Sequence, residues 1–105
     1  MTGVKFLADG GRLCGFSVSG HSSQNCRDEE GKIVCSAVSS AVYMAANTLT
    51  DIIGAECDIE VDDAVFTLNI KASDEISQAV LKGLELHLSE LSLQYPKRIK
   101  IITEV

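Results

Sequence analysis

His21 and Cys35 are the two residues of this 105-residue chain whose types and spacing suggest chemistry. His21 follows Gly20, and a polar stretch separates it from a small-residue apolar run that contains Cys35. A cysteine thiolate is a nucleophile, and a nearby imidazole or the positive end of a helix favours its formation. The pair therefore indicates nucleophilic catalysis by Cys35, with His21 as the general base.

The elements on either side must place these two groups at one end of the domain. We expect His21 to follow a strand and Cys35 to lie in the first turn of a long helix, with a loop over Ser22–Gly31 between them. This loop is expected to be mobile because its polar residues bury little surface. Gly20 permits an unusual backbone angle or a close approach beside His21. Exposed amides of the first helical turn could then receive a developing oxyanion.

Other interpretations of the same residues stay open. Cysteine is among the most buried residue types, so Cys35 could simply pack within its helix. A zinc site could be made from His21, Cys26, Cys35 and Cys14, but their spacings lack the paired C-x₂-C or H-x₃-H pattern of a local metal site. Nucleotide-binding and zincin motifs have no match in the sequence. We therefore expect no metal and no cofactor.

The remaining cysteines and the second histidine are expected to have ordinary roles. Cys14 and Cys57 fall on apolar faces of predicted strands and are expected in the core. Cys26 belongs to the polar loop and should be exposed, and His87 should lie on the solvated surface of a helix. Cys35 is therefore the one cysteine expected to have a depressed pKa.

Apolar periodicity along the chain predicts seven elements in the order ββαββαβ. The order implies an α+β fold: a single compact domain over residues 1–105, with a mostly antiparallel sheet packed with two helices. Strands are expected over Val4–Ala8, Leu13–Ser19, Glu56–Val61, Ala64–Ile70 and Lys97–Glu104, and helices over Ile33–Ile53 and from an N-cap at Ser73 to Tyr95.

Composition and charge limit the location and the partners. Hydrophobic residues make up 46% of the chain and charged residues 23%, as in ordinary globular domains. No signal peptide precedes the first strand and no stretch approaches the roughly 18 apolar residues of a membrane span, so we expect a cytoplasmic protein with no membrane partner. A net charge of −6 disfavours direct nucleic-acid binding and is compatible with a basic protein partner. The modest core of so small a domain would gain from pairing with a second copy.

The sequence around His21 and Cys35 resembles the ribosomal-processing cysteine protease family, Prp. That family places a G-H pair at the end of the second strand, then a short loop, then an I-V-C-[AS]-A-V-S run that opens a helix. Here the pair is Gly20-His21 and the run spans residues 33–39, IVCSAVS. The length and element order match as well.

This resemblance implies a cysteine protease that removes a short N-terminal extension from a large-subunit ribosomal protein precursor and works as a homodimer. On the motif match, Cys35 is the nucleophile and His21 the general base, while Gly20 and Ser39 contribute to substrate binding. Two departures stand out. Lys32 occupies the position where family members often carry Asp, and the loop is longer and has fewer glycines. Nearby acids that could replace the missing Asp are Asp28, Glu29 and Glu30.

Two functions of other classes compete with proteolysis. A non-catalytic ribosome-associated module could use the same loop to bind a peptide. A plain structural or dimeric domain could bury Cys35 without any chemistry. A ribosomal protein with an aromatic-bearing N-terminal extension, in the same source, would favour the protease.

Overall fold

The computed structural model describes residues 1–20, 28–72 and 74–104 of the chain. Within these ranges the elements follow the predicted order ββαββαβ, which confirms the α+β class. They are β1 (Thr2–Asp9), β2 (Arg12–Ser19), α1 (Glu29–Asn47), β3 (Cys57–Asp62), β4 (Val65–Ile70), α2 (Glu75–Gln94) and β5 (Ile99–Glu104).

The five strands form one sheet in the order β3-β4-β2-β1-β5. Three of the four neighbouring pairs are antiparallel, and only β1 and β5 run parallel. A parallel pair needs a long crossover connection, and α2 supplies it between β4 and β5. The first and last strands of the described chain therefore lie side by side.

The β1–β2 hairpin turns on a pair of glycines. Asp9 pairs with Arg12, which leaves Gly10 and Gly11 as a two-residue loop. Their φ angles of 60° and 80° are both positive. Two-residue hairpin loops of type I′ require this conformation, which glycine adopts without a steric penalty. The turn thus joins the first two predicted strands as a tight hairpin.

A β-bulge in β2 corrects the predicted alternation of that strand. Leu7 pairs with Gly15 and Ala8 pairs with Leu13, so Cys14 is the extra residue. Leu13 is consequently buried, whereas Cys14 is half-buried and its thiol lies 3.3 Å from the carbonyl oxygen of Leu7. The prediction that Cys14 belongs to the core is wrong because the bulge shifts the alternation by one residue.

The core lies between the sheet and the two helices. Phe16 is central, with its ring centroid 6.3 Å from that of Phe6 and 6.0 Å from that of Phe66. Burying one such large apolar side chain contributes about 1.5–3 kcal/mol to folding. The largest fully buried apolar side chains are Val4, Phe6, Phe16, Val34, Leu49, Leu68, Leu81 and Leu88.

Helix α1 begins at Glu29, four residues before the predicted start at Ile33. Asp28 is its N-cap and accepts a hydrogen bond from the Gly31 amide at 3.1 Å. Acidic residues in the first turn add favourable interactions with the helix dipole. The predicted loop Ser22–Gly31 is therefore wrong at its C-terminal end. Residues 21–27 lie outside the described residues, and the expected mobility of that loop stays a prediction.

The C-terminal end of α1 continues into a π-helical turn over Thr48–Ile52. The Thr48 hydroxyl donates to the carbonyl oxygen of Met44 at 2.7 Å, a contact that often accompanies helix distortion. The turn ends at Ile53, and Gly54 follows with a φ of 75°. A left-handed glycine just after the last turn is a common way for a helix to end.

One helix is apolar enough to meet the length and composition criteria for a membrane span, contrary to expectation. It runs from Glu29 to Ile52, with a mean hydropathy of 1.3 in its most apolar window. A buried core helix meets the same criteria, and one side of α1 is buried against the rest of the fold. That side comprises Val34, Val38, Val42, Ala45, Ala46 and Leu49.

Helix α2 has its N-cap at Asp74, whose carboxylate accepts a hydrogen bond from the Ser77 amide at 2.7 Å. The predicted N-cap, Ser73, lies outside the described residues. Ile76 belongs to the apolar periodicity of the sequence but is 63% exposed, because the buried side of this turn consists of Ser77 and Gln78. The buried leucines of α2 are Leu81, Leu84 and Leu88.

Strand β3 lies at the edge of the sheet, where its apolar side is only partly covered. Cys57 packs against the core, but Ile59 and Val61 are 44% and 76% exposed. The predicted alternation of β3 is correct, whereas its expected burial is wrong towards the end of the strand. Ala64, expected to open β4, instead lies in the β3–β4 turn with a φ of 57°.

Candidate active site

A cavity of about 370 Å³ lies beside the C-terminal end of β2, and both Gly20 and Cys35 line it. The other walls come from α1, from the N-terminal end of β1 and from the β3–β4 turn. Its polar lining residues include Thr2, Ser39 and Asp62. The fold thus brings the residue before His21 and the predicted nucleophile to one concave surface.

Cys35 is half-buried and is the seventh residue of α1, so it lies in the second turn rather than the first. The prediction that it opens the helix is wrong because Asp28 caps an additional turn. The stabilising effect of a helix terminus on a negative charge decays within the first turn. The Gly31 and Lys32 amides already donate to the side chain and the carbonyl of Asp28, both at 3.1 Å. These two amides are therefore already engaged and are not available to an oxyanion beside Cys35.

Gly20 combines the two properties that the sequence suggested. Its φ is 80°, and a Cβ atom there would lie only 2.5 Å from the carbonyl oxygen of Met1. Its amide donates to the carbonyl of Ala64 at 3.2 Å. The backbone at Gly20 is thus held between the start of β1 and the β3–β4 turn. His21 comes next and lies outside the described residues, so its role stays a prediction.

Apolar side chains form the inner part of the cavity. Val18, Val38 and Phe66 line it, and the Tyr43 ring packs edge-on against Phe66 with the centroids 6.5 Å apart. An adjoining space of about 80 Å³ is lined by the same four residues together with Ser39 and Val42. This lining suits a hydrophobic side chain, while Ser39 offers a hydroxyl at its edge.

Arg98 engages two of the acids that could have replaced the missing Asp. Its guanidinium contacts both carboxylate oxygens of Asp28, at 2.5 and 2.8 Å, and Glu30 at 3.3 Å. The hydrogen bonds with Asp28 are the main cause of the raised pKa of Arg98. Glu29 lies 3.7 Å from the Lys32 ammonium. Each of the three acids therefore has a basic neighbour in the described structure.

The other described cysteines lie away from the cavity lining. Burial raises the pKa of the Cys57 thiol, and the charge of Asp58 raises it further. Cys14 lies four positions before Val18, which is about 13 Å along a strand. A zinc site that includes both Cys14 and Cys35 is therefore disfavoured.

Within residues 1–20, 28–72 and 74–104, no three His, Cys, Asp or Glu side chains cluster as metal ligands would. His21 and Cys26, the other members of the suggested zinc set, fall outside those ranges. The exposure predicted for Cys26 likewise stays a prediction. His87 is exposed on α2, as predicted.

Sequence reasoning missed the part played by Arg98. Asp28 carried a local signal, because an Asp followed by two Glu residues is typical of a helix N-terminus. Arg98 carried none, since it lies 70 positions from Asp28 in the chain. Tyr43 and Phe66 were assigned to no site, and only the folded structure brings them beside Cys35.

The family model described as cysteine protease Prp matches residues 1–100. The chain belongs to the Prp family of cysteine proteases. Solved structures agree on the fold. Ribosomal processing protease Prp from Staphylococcus aureus, in complex with a covalently linked product peptide, has a TM-score of 0.86 at 19% identity, covering 99% of this chain and all of that one.

Two further solved structures have a similar fold and match 99% of this Prp family member. The Staphylococcus aureus protease in complex with a substrate peptide has a TM-score of 0.86 at 18% identity, covering 99% of this chain and 100% of that one. A Streptococcus mutans protein has a TM-score of 0.84 at 25% identity, covering 99% of each chain. Curated protein sequences give no significant match. The predicted family and fold are confirmed, while the roles of individual site residues stay predictions.

Proposed function

We propose that this cysteine protease removes a short N-terminal extension from a large-subunit ribosomal protein, with Cys35 as nucleophile and His21 as general base. The observation that carries the proposal is the shared cavity of Gly20 and Cys35. His21 directly follows Gly20 in the sequence, and Gly20 lines that cavity together with Cys35. The Staphylococcus aureus relative, described as a ribosomal processing protease with bound peptides, supports the substrate class.

The proposed reaction proceeds through an acyl-enzyme. His21 takes the proton of the Cys35 thiol, the resulting thiolate attacks the peptide carbonyl, and protonated His21 then gives that proton to the leaving amine. Water, deprotonated by His21, attacks the thioester and releases the new carboxylate and the Cys35 thiol. Because the Gly31 and Lys32 amides of α1 are bonded to Asp28, the Ser39 hydroxyl is our candidate donor to the substrate backbone.

The apolar inner part of the cavity indicates the kind of side chain that it receives. Val18, Val38 and Phe66 give no charged partner, and Tyr43 adds an aromatic edge. A hydrophobic or aromatic residue of the extension fits these surroundings, because aromatic pairs gain energy in edge-to-face arrangements. The net charge of −6 favours a substrate whose remaining body is basic, as ribosomal proteins are.

We also propose that the protein acts in the cytoplasm, where ribosomal proteins are made, and that it is a homodimer. Thiols stay reduced in that compartment, which suits a catalytic cysteine. Exposed apolar side chains on the helices support self-association, among them Ile33 at 57% and Met44 at 66% exposure.

The decisive experiment incubates the protein with ribosomal protein precursors of its own source and follows their masses. Wild-type protein should shorten one precursor at its N-terminus, whereas Cys35→Ser and His21→Ala should lose turnover by orders of magnitude. Cys57→Ser is the matched control, since it makes the same sulfur-to-oxygen change away from the cavity lining. Turnover that survives Cys35→Ser would overturn the mechanism. Tight binding of a precursor without cleavage by wild type would favour the peptide-binding module.

A further inference from the structure

Arg98 contacts both the start of β1, against which Gly20 packs, and Asp28 at the start of α1. On one side its guanidinium contacts both oxygens of Asp28, the N-cap of α1. On the other side its carbonyl oxygen accepts a hydrogen bond from the Thr2 amide at 2.8 Å. Met1 and Thr2 in turn form the surface against which Gly20 packs.

The Arg98–Asp28 pair is better shielded from water than the other ion pairs of the described residues. The side chains of Arg98 and Asp28 are 21% and 11% exposed. Lys5–Glu104 has side-chain exposures of 43% and 58%, and Arg12–Glu75 has 43% and 88%. Exposed ion pairs contribute little because water screens them, whereas a two-fold Arg–carboxylate contact fixes both distance and orientation.

Hydrogen bonds to the turn after α2 fix the backbone around Arg98. Its amide and that of Ile99 donate to the carbonyl of Tyr95, at 2.9 and 3.3 Å, in the turn after α2. The guanidinium therefore projects from a fixed backbone rather than from a free chain end. Because the Arg98 backbone is bonded to Thr2, its guanidinium fixes Asp28 relative to the start of β1. Thr2 lines the cavity together with Cys35.

From these contacts we infer that Arg98 is a positioning residue for the protease reaction: through Asp28 it sets the placement of α1, and hence of Cys35, relative to Gly20 and the residue that follows it. The inference rests on the proposed roles of Cys35 and His21. It assigns no contact with substrate to Arg98. Catalytic rates are sensitive to such placement, since a shift of about 1 Å can cost roughly 100-fold in rate.

Two substitutions test the pair without removing the helix cap. Asp28→Asn keeps a side-chain oxygen for the Gly31 amide but loses the charge that Arg98 binds. Arg98→Gln removes the guanidinium. Each should lower kcat/KM on the cleaved precursor by about 10-fold to 100-fold, and the double variant should be no worse than the poorer single one. Arg98→Lys, which keeps the charge but not the fork, should recover part of the loss.

A second readout separates positioning from stability. The rate of Cys35 alkylation should fall about 10-fold at pH 6.5 in Arg98→Gln but stay at the wild-type value at pH 9.5, where the thiolate forms without help. Arg12→Gln is the matched control, because Arg12 also joins a strand to the first turn of a helix, through Glu75. It should leave kcat/KM and the pH profile unchanged.

The outcomes distinguish failure of this inference from failure of the proposed function. Wild-type activity in folded Arg98→Gln and Asp28→Asn would overturn the positioning role and leave the protease mechanism intact. Fully additive losses in the double variant would also overturn it. A wild-type protein that cleaves no precursor, and whose Cys35 alkylates as an ordinary thiol, would instead reject the proposed function on which the role depends.

Discussion

The position of Cys35 in the second turn of α1 makes its thiolate depend on neighbouring side chains more than on the helix terminus. Dipole effects are confined to the terminal turn, and Asp28 already occupies that terminus with a negative charge. In the proposed mechanism the stabilising charge therefore comes from His21 in its protonated form. At the scale of single residues, this makes the cysteine–histidine pair the source of reactivity.

Selective alkylation should reveal this activation. At pH 6.5 a thiol with a pKa of about 8.5 is only about 1% ionised, so Cys35 should react at least 10-fold faster than Cys57. Burial and Asp58 raise the pKa of Cys57, which slows it further. Peptide mapping after timed labelling from pH 5.5 to 9.5 measures both rates.

Substitution of each histidine completes the experiment. His21→Ala should bring the alkylation rate of Cys35 close to that of an ordinary thiol, whereas His87→Ala, at an exposed site on α2, should have no effect. Equal labelling of Cys35 and Cys57 in the wild type would contradict the activated thiolate.

At the scale of elements, the sequence predicted each strand and helix but not every boundary. Alternation and helical periodicity report which side of an element is apolar, and they located β1, β4 and α2 well. They do not report a bulge, so Cys14 was assigned to the wrong side of β2. They also do not reveal which strand ends at a sheet edge, so the exposure of Val61 was missed.

The sequence predicted those features of the candidate site that depend on neighbouring residues in the chain. Gly20 and Cys35 lie on one cavity, as their positions at strand end and helix suggested. The start of α1 was placed too late because the capping signal at Asp28 was taken as part of a loop. The contribution of Arg98 depends on a contact between distant segments, which single-sequence patterns do not contain.

The N-cap of α2 should make part of the stability depend on pH. The hydrogen bond from the Ser77 amide lowers the pKa of Asp74 in the folded state. Its stabilising effect is therefore present above the unfolded pKa of about 3.9 and is lost as pH falls through the lower folded pKa. Asp74→Asn keeps a capping oxygen but cannot titrate, so it should melt a few degrees below wild type at pH 6.

Thermal melts of both proteins between pH 7 and pH 2 measure this difference. The gap in Tm should close at the acid end of the range, because protonated Asp74 then resembles Asn. Two parallel melting curves with a constant gap over the whole range would show that Asp74 does not act through its charge.

The β3–β4 turn carries strain that glycine should relieve. Ala64 has a φ of 57°, in the left-handed region that costs an L-residue about 1–2 kcal/mol. Ala64→Gly should raise the free energy of unfolding by up to about 1 kcal/mol, after the added entropy of the unfolded chain is subtracted. Ala55→Gly, at a residue whose own φ is not positive, should lower it instead. Urea unfolding measures the free energy of unfolding of both variants. If both are less stable than wild type, the turn is not strained.

At the scale of the whole molecule, a small aliphatic core leaves much apolar surface on the helices. Besides Ile33 and Met44, the exposed apolar side chains of α2 include Ile76, Leu86 and Leu93, at 63%, 62% and 81% exposure. A domain of this size buries a limited fraction of its surface alone, so covering these side chains in a dimer would add stability.

We expect sedimentation at micromolar concentration to show a species of twice the 11.2 kDa chain mass. Met44→Lys should shift the equilibrium towards the monomer if the outer surface of α1 takes part, because a buried unpaired charge is costly. Lys82→Ala, which removes a charge from exposed α2 surface, is the control. A single 11.2 kDa species for wild type over the whole concentration range would rule out the dimer.

The pairing of β1 with β5 ties the completion of the candidate active site to the synthesis of β5. Thr2 lines the cavity, yet its amide bonds to Arg98, and β1 gains its parallel neighbour only from Ile99–Glu104. Joining segments so distant in sequence is an entropically costly and comparatively slow step of folding. A nascent chain that has not yet exposed β5 lacks the Arg98 anchor, so it should not cleave peptides until that strand has emerged and paired with β1.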